Sequence, residues 1–141
     1  MSLQRIEQHI TGLPNVTRLE SFGYTFFFYG PEQVLPFVTF AASDNEHDKR
    51  SNLNREGVFR VNIGIAKDSF SKLFSGNESP WDYTALNRFM PHPDYAAQHF
   101  ICILNPEGDR LTETIDFINE AHLVAKLRFD KKQAVKTKGN N

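Results

Sequence analysis

The chain has a single cysteine, Cys102, among its 141 residues. A lone thiol excludes an internal disulfide and any multi-cysteine metal site, and makes a reducing cytoplasm the default compartment. Also missing is an apolar run of the roughly 20 residues that cross a bilayer. No charged segment leads into an apolar stretch of the kind that marks a secretory leader. A glycine-rich phosphate loop, a nucleophile elbow and a zincin histidine pair are all absent. Neither sign of charge dominates, for the net charge is −1. These absences remove the easily recognised enzyme and metalloprotein classes and leave a globular domain without cofactor as the expectation.

Aromatic side chains are abundant. Thirteen phenylalanines are present, enough to build a ring-rich core or to line a ligand cavity. The length suits one domain. The small net charge hides an asymmetry. From Lys126 to Lys138 six basic residues face one acidic residue, Asp130, so that segment carries +5 and the remainder −6. An acidic body is a poor platform for phosphates. The reading is therefore a single domain over residues 1–129 followed by a basic polar tail over 130–141. Within that tail Lys131, Lys132, Lys136 and Lys138 are the candidate nucleic-acid contacts.

Residues 56–70 organise the chain. Phe59, Val61, Ile63 and Ile65 alternate with Val58, Arg60, Asn62 and Gly64, the period of two that marks a strand with one buried and one wetter face. Asp68 then offers an N-cap to a short helix carrying Phe70, Leu73 and Phe74 and closed by Gly76. Upstream, Leu3, Ile6, Ile10 and Leu13 form a helical stripe ended by Gly12 and Pro14, with His9 at its boundary. Strands are expected at Val16–Ser21, at the aromatic run Tyr24–Tyr29, and at Phe37–Ala42. The second and third should pair as a hairpin, with Ala41 and Ala42 leaving room for a large ring opposite. The polar stretch from Ser43 to Glu56 reads as an exposed connection, and its acidic residues match no calcium loop.

Downstream, Asn77 to Trp81 reads as a loop, and Asp82 as the cap of a second short helix with Tyr83, Leu86, Phe89 and Met90 inward. Pro91 to Tyr95 breaks it, and a last strand runs from His99 to Leu104. A long helix follows, with Leu111, Ile115, Ile118, His122, Ala125 and Phe129 in one stripe, widened by Leu123, Val124 and Leu127. Short connections make the strands mostly antiparallel. The expected fold is a two-layer α+β domain, with a sheet of about five strands, the terminal helices on one face and the other face partly open.

Five separated blocks, Thr11–Val16, Phe26–Tyr29, Gly57–Gly64, Met90–Tyr95 and Leu104–Pro106, together resemble a bacterial family of unknown function across roughly residues 1–129. The ending in a strand and long helix is similar, more distantly, to the MmcQ/YjbR-like proteins. That resemblance implies a two-layer CyaY-like fold, sometimes called a double wing and suspected of binding DNA. It brings no established active site with it.

Candidate chemistry gathers in two places. Arg60 and Asn62 share one face of the organising strand, where a charge needs a partner or solvent. His92, Asp94, Tyr95 and His99 form the densest polar cluster, with groups able to do acid–base work near neutral pH. Cys102, amid Phe100, Ile101, Ile103 and Leu104, reads as a buried inert thiol. Three functional classes follow. The favoured one is a non-enzymatic module that binds a small molecule or peptide through Arg60, Asn62, His92, Tyr95 and His99. The others are a nucleic-acid-binding protein and an enzyme using the His92, Asp94, Tyr95 and His99 cluster. No catalytic residue, metal ligand or cofactor is assigned, and the oligomeric state is open.

Overall fold

The computed structural model describes residues 2–76 and 80–139, with side chains described through Val135. The loop expected at Asn77–Ser79 and the side chains of Lys136 and Lys138 lie outside the described residues. Six strands form one antiparallel sheet: β1 (Val16–Ser21), β2 (Tyr24–Tyr29), β3 (Val38–Ala41), β4 (Arg60–Gly64), β5 (Met90–Pro91) and β6 (Phe100–Leu104). Their spatial order is β1-β2-β3-β4-β6-β5. Three helices accompany them: α1 (Ser2–Thr11), α2 (Lys67–Leu73) and α3 (Asp109–Gly139). The architecture is therefore α+β, one strand richer than the sequence suggests. Among the described residues no helix is long and apolar enough to cross a membrane.

Period-two alternation sorts the sheet into two faces. Val38, Phe40, Val61, Ile63, Ile101 and Ile103 point one way and pack against Ile6 and Ile10 of α1 and Ile118 and Ala121 of α3. Val61, Ile63 and Ile103 have no exposed surface at all. Burying one such aliphatic side chain stabilises the fold by roughly 2 kcal/mol. The stripe on α3 runs as the spacing indicates, but its widening does not. Leu123 and Leu127 are exposed, since they lie on the helix flank that turns away from the sheet. α3 continues to Gly139, so the backbone expected as a tail from residue 130 is helical as far as residue 139.

Two local readings need correction. Asp68 does not cap α2. The helix begins at Lys67 with Ala66 as N-cap and no side-chain cap of its own. Glu120 of α3 supplies the acceptor instead, taking the Ala66 amide at 3.0 Å and the Ser69 hydroxyl at 2.7 Å. A carboxylate at a helix N-terminus serves the same electrostatic need whichever element carries it. The second correction concerns Asp82. It accepts the amide and hydroxyl of Thr84 at 3.0 and 2.6 Å and closes an Asx turn rather than a helix. Phe89 and Met90 are buried as expected, but Met90 does so as part of β5, the short outer strand beside β6.

Candidate ligand cavity

The second face of the sheet is built from two cross-strand rows. In one, Phe26 pairs with Thr39, Thr39 with Asn62, Asn62 with Cys102 and Cys102 with Met90. In the next, Tyr24 pairs with Ala41, Ala41 with Arg60 and Arg60 with Leu104. Alternation within β4 thus places Arg60 and Asn62 opposite Val61 and Ile63, as the pattern requires. The face is not wet, however. Arg60 is 1% exposed and Asn62 3%. The stretch after β3, read from sequence as an exposed connection, folds across this face and buries Ser51 and Leu53. Leu53 packs with Ala41, Met90, Cys102 and Leu104, so the space left by the alanine is filled by an aliphatic side chain from that loop.

Burying a guanidinium demands partners, and the loop provides them. Both Arg60 terminal nitrogens donate to Asp48, Nη1 to Oδ1 at 3.0 Å and Nη2 to Oδ2. Nη1 also donates to the Ser51 hydroxyl at 3.1 Å, and Nε to Asn62 Oδ1 at 2.9 Å. Asn62 Nδ2 then donates to Thr39 Oγ1 at 2.8 Å, while the Tyr24 hydroxyl donates to Asp48 at 2.7 Å. Burial alone would raise the Asp48 carboxyl, but the hydrogen bonds and charge of Arg60 outweigh it and hold its pKa below the ordinary value. For Arg60 burial opposes the charge, and Asp48 overcomes that too, so its pKa is raised. The pair is ionised and mutually neutralised.

The loop is fixed by bonds of its own. Asp44 accepts the Leu53 amide at 2.8 Å, and Arg55 donates to the carbonyls of Ser51 and Thr84, both at 3.0 Å. Arg55 thereby ties this loop to the segment that leads into β5.

His92 directly follows β5 and is 5% exposed. Its Nδ1 accepts the backbone amides of Asp94 and Tyr95 at 3.0 and 3.1 Å. That geometry leaves Nδ1 unprotonated and puts the proton of the neutral ring on Nε2. Burial, reinforced by the nearby charge of Arg60, pushes the His92 pKa down to about 4. His99 occupies the left-handed backbone region at φ 65° between a short 3-10 turn and β6, and its ring meets Phe70 at 5.7 Å. Tyr95, 57% exposed, stands over His92 with ring centroids 5.0 Å apart.

Together these groups border one cavity of about 970 Å³. Its floor is Thr39, Asn62 and Arg60, with His92 at the side. Rings of Tyr24, Phe26, Tyr95 and Phe100 form the walls, and Val34, Leu35 and Arg128 stand at the mouth. All five residues proposed from sequence, Arg60, Asn62, His92, Tyr95 and His99, line it. Asp48, Thr39, Tyr24 and Phe100 were missed. The signal for Asp48 was available, since an arginine on a covered strand requires a carboxylate. Gly64 was missed for another reason. A Cβ there would lie 2.8 Å from the Phe100 ring, so the glycine lets that ring lie against the strand and shape the wall. A smaller cavity of about 210 Å³ adjoins at the sheet end, between β4, β6 and α3.

Cys102 lies beneath the floor with no exposed surface, and burial raises its thiol pKa to about 12. It is an inert packing residue. Among the described residues no cluster of His, Cys, Asp and Glu could hold a metal ion.

Residues 1–134 match the sequence family DUF6194. The chain belongs to this family, whose function is unknown. No curated protein and no solved structure matches this DUF6194 member.

Proposed function

We propose that the protein is a non-enzymatic binding module for a small organic molecule, held against the polar face of the sheet. The cavity of about 970 Å³ carries this reading. It combines aromatic walls with a few fixed polar groups on its floor, the usual composition of a small-molecule site. The polar groups form a network in which no buried side-chain nitrogen or oxygen among the described residues lacks a partner. A floor whose polar atoms are each held by at least one partner presents a rigid, preorganised surface to a ligand.

The reading favours binding over catalysis because the acid–base candidates have structural work. His92 spends Nδ1 on ordering its own loop, and Cys102 is sealed below the floor. To test the proposal, a metabolite extract is passed over the immobilised protein and retained compounds are identified by mass spectrometry. Tyr95→Ala, which removes an exposed wall ring without breaking a hydrogen bond of the floor, serves as the comparison. Retention by the native chain and loss in the variant is the expected result. Equal retention by both would show that binding occurs elsewhere.

A second reading rests on the exposed Lys131 and Lys132 in the last part of α3. The MmcQ/YjbR-like resemblance, with its double-wing association, belongs to this alternative. Nucleic-acid binding of that kind would weaken steeply with salt and vanish on truncation after Phe129. A bacterial cytoplasm suits either reading and is part of the proposal.

A further inference from the structure

We propose that the deep end of the cavity selects an uncharged hydrogen-bond acceptor, so that the ligand is a flat aromatic molecule with a neutral carbonyl-type head rather than an anion. This rests on the binding reading above and specifies the ligand class for the same site. At first sight a buried arginine on a cavity floor suggests an anion site. The hydrogen bonds argue otherwise. Arg60 commits four of its five N–H groups to Asp48, Ser51 and Asn62. Asp48 already occupies the two-pronged position that a ligand carboxylate would need.

The donors left over are all neutral. His92 keeps Nε2–H, since Nδ1 is the acceptor for two amides. Thr39 accepts from Asn62 through Oγ1, which leaves its hydroxyl proton to donate. Asn62 has a second N–H beyond the one given to Thr39. No hydrogen bond from these three protons to protein occurs among the described residues. The charged groups bordering the cavity are Asp48, Asp94, Arg60 and Arg128. Asp48 cancels Arg60, and Arg128 lies at the exposed mouth where solvent screens it. An anion driven to the floor would meet the Asp48 carboxylate without a compensating free cation. A carbonyl oxygen would meet three donors and an uncharged surface, with its ring system between Phe26 and Tyr95.

The test uses two probes of nearly equal shape, 2-acetylnaphthalene and 2-naphthoate, titrated at pH 7 into the isotopically labelled full chain while backbone amide shifts are followed. The ketone should bind about tenfold more tightly than the carboxylate, with the largest shifts on β2, β4 and the His92 loop. Asp48→Asn, which removes the competing charge but keeps the shape, should reverse the order in favour of naphthoate. Equal or tighter binding of naphthoate to the native chain overturns the inference while leaving the binding reading intact, and needs no variant to be seen. Failure of both probes to shift β2 and β4 amides would count against the cavity reading as well as this one.

Discussion

The two faces of the sheet are covered by opposite means. One face is closed by α1 and α3 over Val38, Val61, Ile63 and Ile103, and its cohesion is non-directional. The other is closed by the loop after β3 and the segment before β5, and its cohesion runs through hydrogen bonds that Arg60 donates to Asp48, Ser51 and Asn62 and that Arg55 donates to the Ser51 and Thr84 carbonyls. The first tolerates swaps of similar volume. The second tolerates almost no loss of a single partner, because each removal strands another polar group. A sheet can therefore keep one face for non-directional packing and another for a specified polar network.

The largest test breaks the apolar face. Val61→Asp places an unpaired charge where no exposure exists, and the cost of several kcal/mol should abolish cooperative folding. Loss of the thermal transition by circular dichroism is the expected outcome. A soluble variant with a sharp transition would contradict the assignment of this face.

Next comes the buried pair. Asp48→Ala leaves the Arg60 guanidinium without its carboxylate and should lower stability by about 3–5 kcal/mol in urea unfolding. Replacing both partners, Arg60→Met with Asp48→Leu, should recover most of that loss, since apolar groups need no partner. If the double variant is no better than the single, the network contributes something beyond charge pairing.

The third test uses pH. The His92 pKa falls from 6.5 in the unfolded chain to about 4 in the folded one. Between those values the unfolded state binds more protons, so stability rises with pH across the window and is lost as pH falls through it. The loss attributable to this ring is about 3 kcal/mol once pH is below 4. Asp48, also held low, adds a loss of the same sign at still more acid pH. His92→Gln should flatten the slope between pH 4 and 6.5. An unchanged slope would assign it to other groups.

The smallest effect should come from Gly64→Ala. The added methyl group lies under 3 Å from the Phe100 ring, and that half-buried ring can swing aside. Stability should fall by about 1 kcal/mol or less, while the shape of the cavity wall changes and probe affinity with it. A melting temperature that drops sharply with probe affinity intact would mean that the ring is held by the core rather than by the cavity.

Much of the apolar face was legible because periodicity speaks directly to it. Phe59, Val61, Ile63 and Ile65 alternate, and Leu111, Ile115, Ile118 and His122 recur at helical spacing. The sidedness of Arg60 and Asn62 followed from the same rule. Their burial did not, since nothing in β4 itself states what will cover it. The cover is a polar stretch whose composition imitates a solvated loop. Asp44, Asn45, Asp48 and Arg55 look like surface residues until their long-range partners are known. The missed cap of α2 has the same origin, because Glu120 lies 54 residues from the amide it serves. Local patterns report local bonds, and the specified face is made of distant ones.

The strand order carries a consequence for motion. β5 precedes β6 in the chain but pairs outside it, through Met90 and Pro91, with the amides of His92 and Asn87 adding hydrogen bonds to the carbonyls of Phe100 and Leu104 at 2.9 and 2.6 Å. It can join the sheet only once β6 is in place beside β4, and it can leave without disturbing any other strand pair. Proline gives no amide to that ladder, so the attachment is weak at its outer rim. Amide hydrogens at this edge should exchange with deuterium through a small local opening, while those of β4 wait for global unfolding. Loosening of β5 would uncover the buried Met90 and the His92 side of the cavity while the other strand pairs stay intact, so this edge is the part of the sheet that opens at least cost.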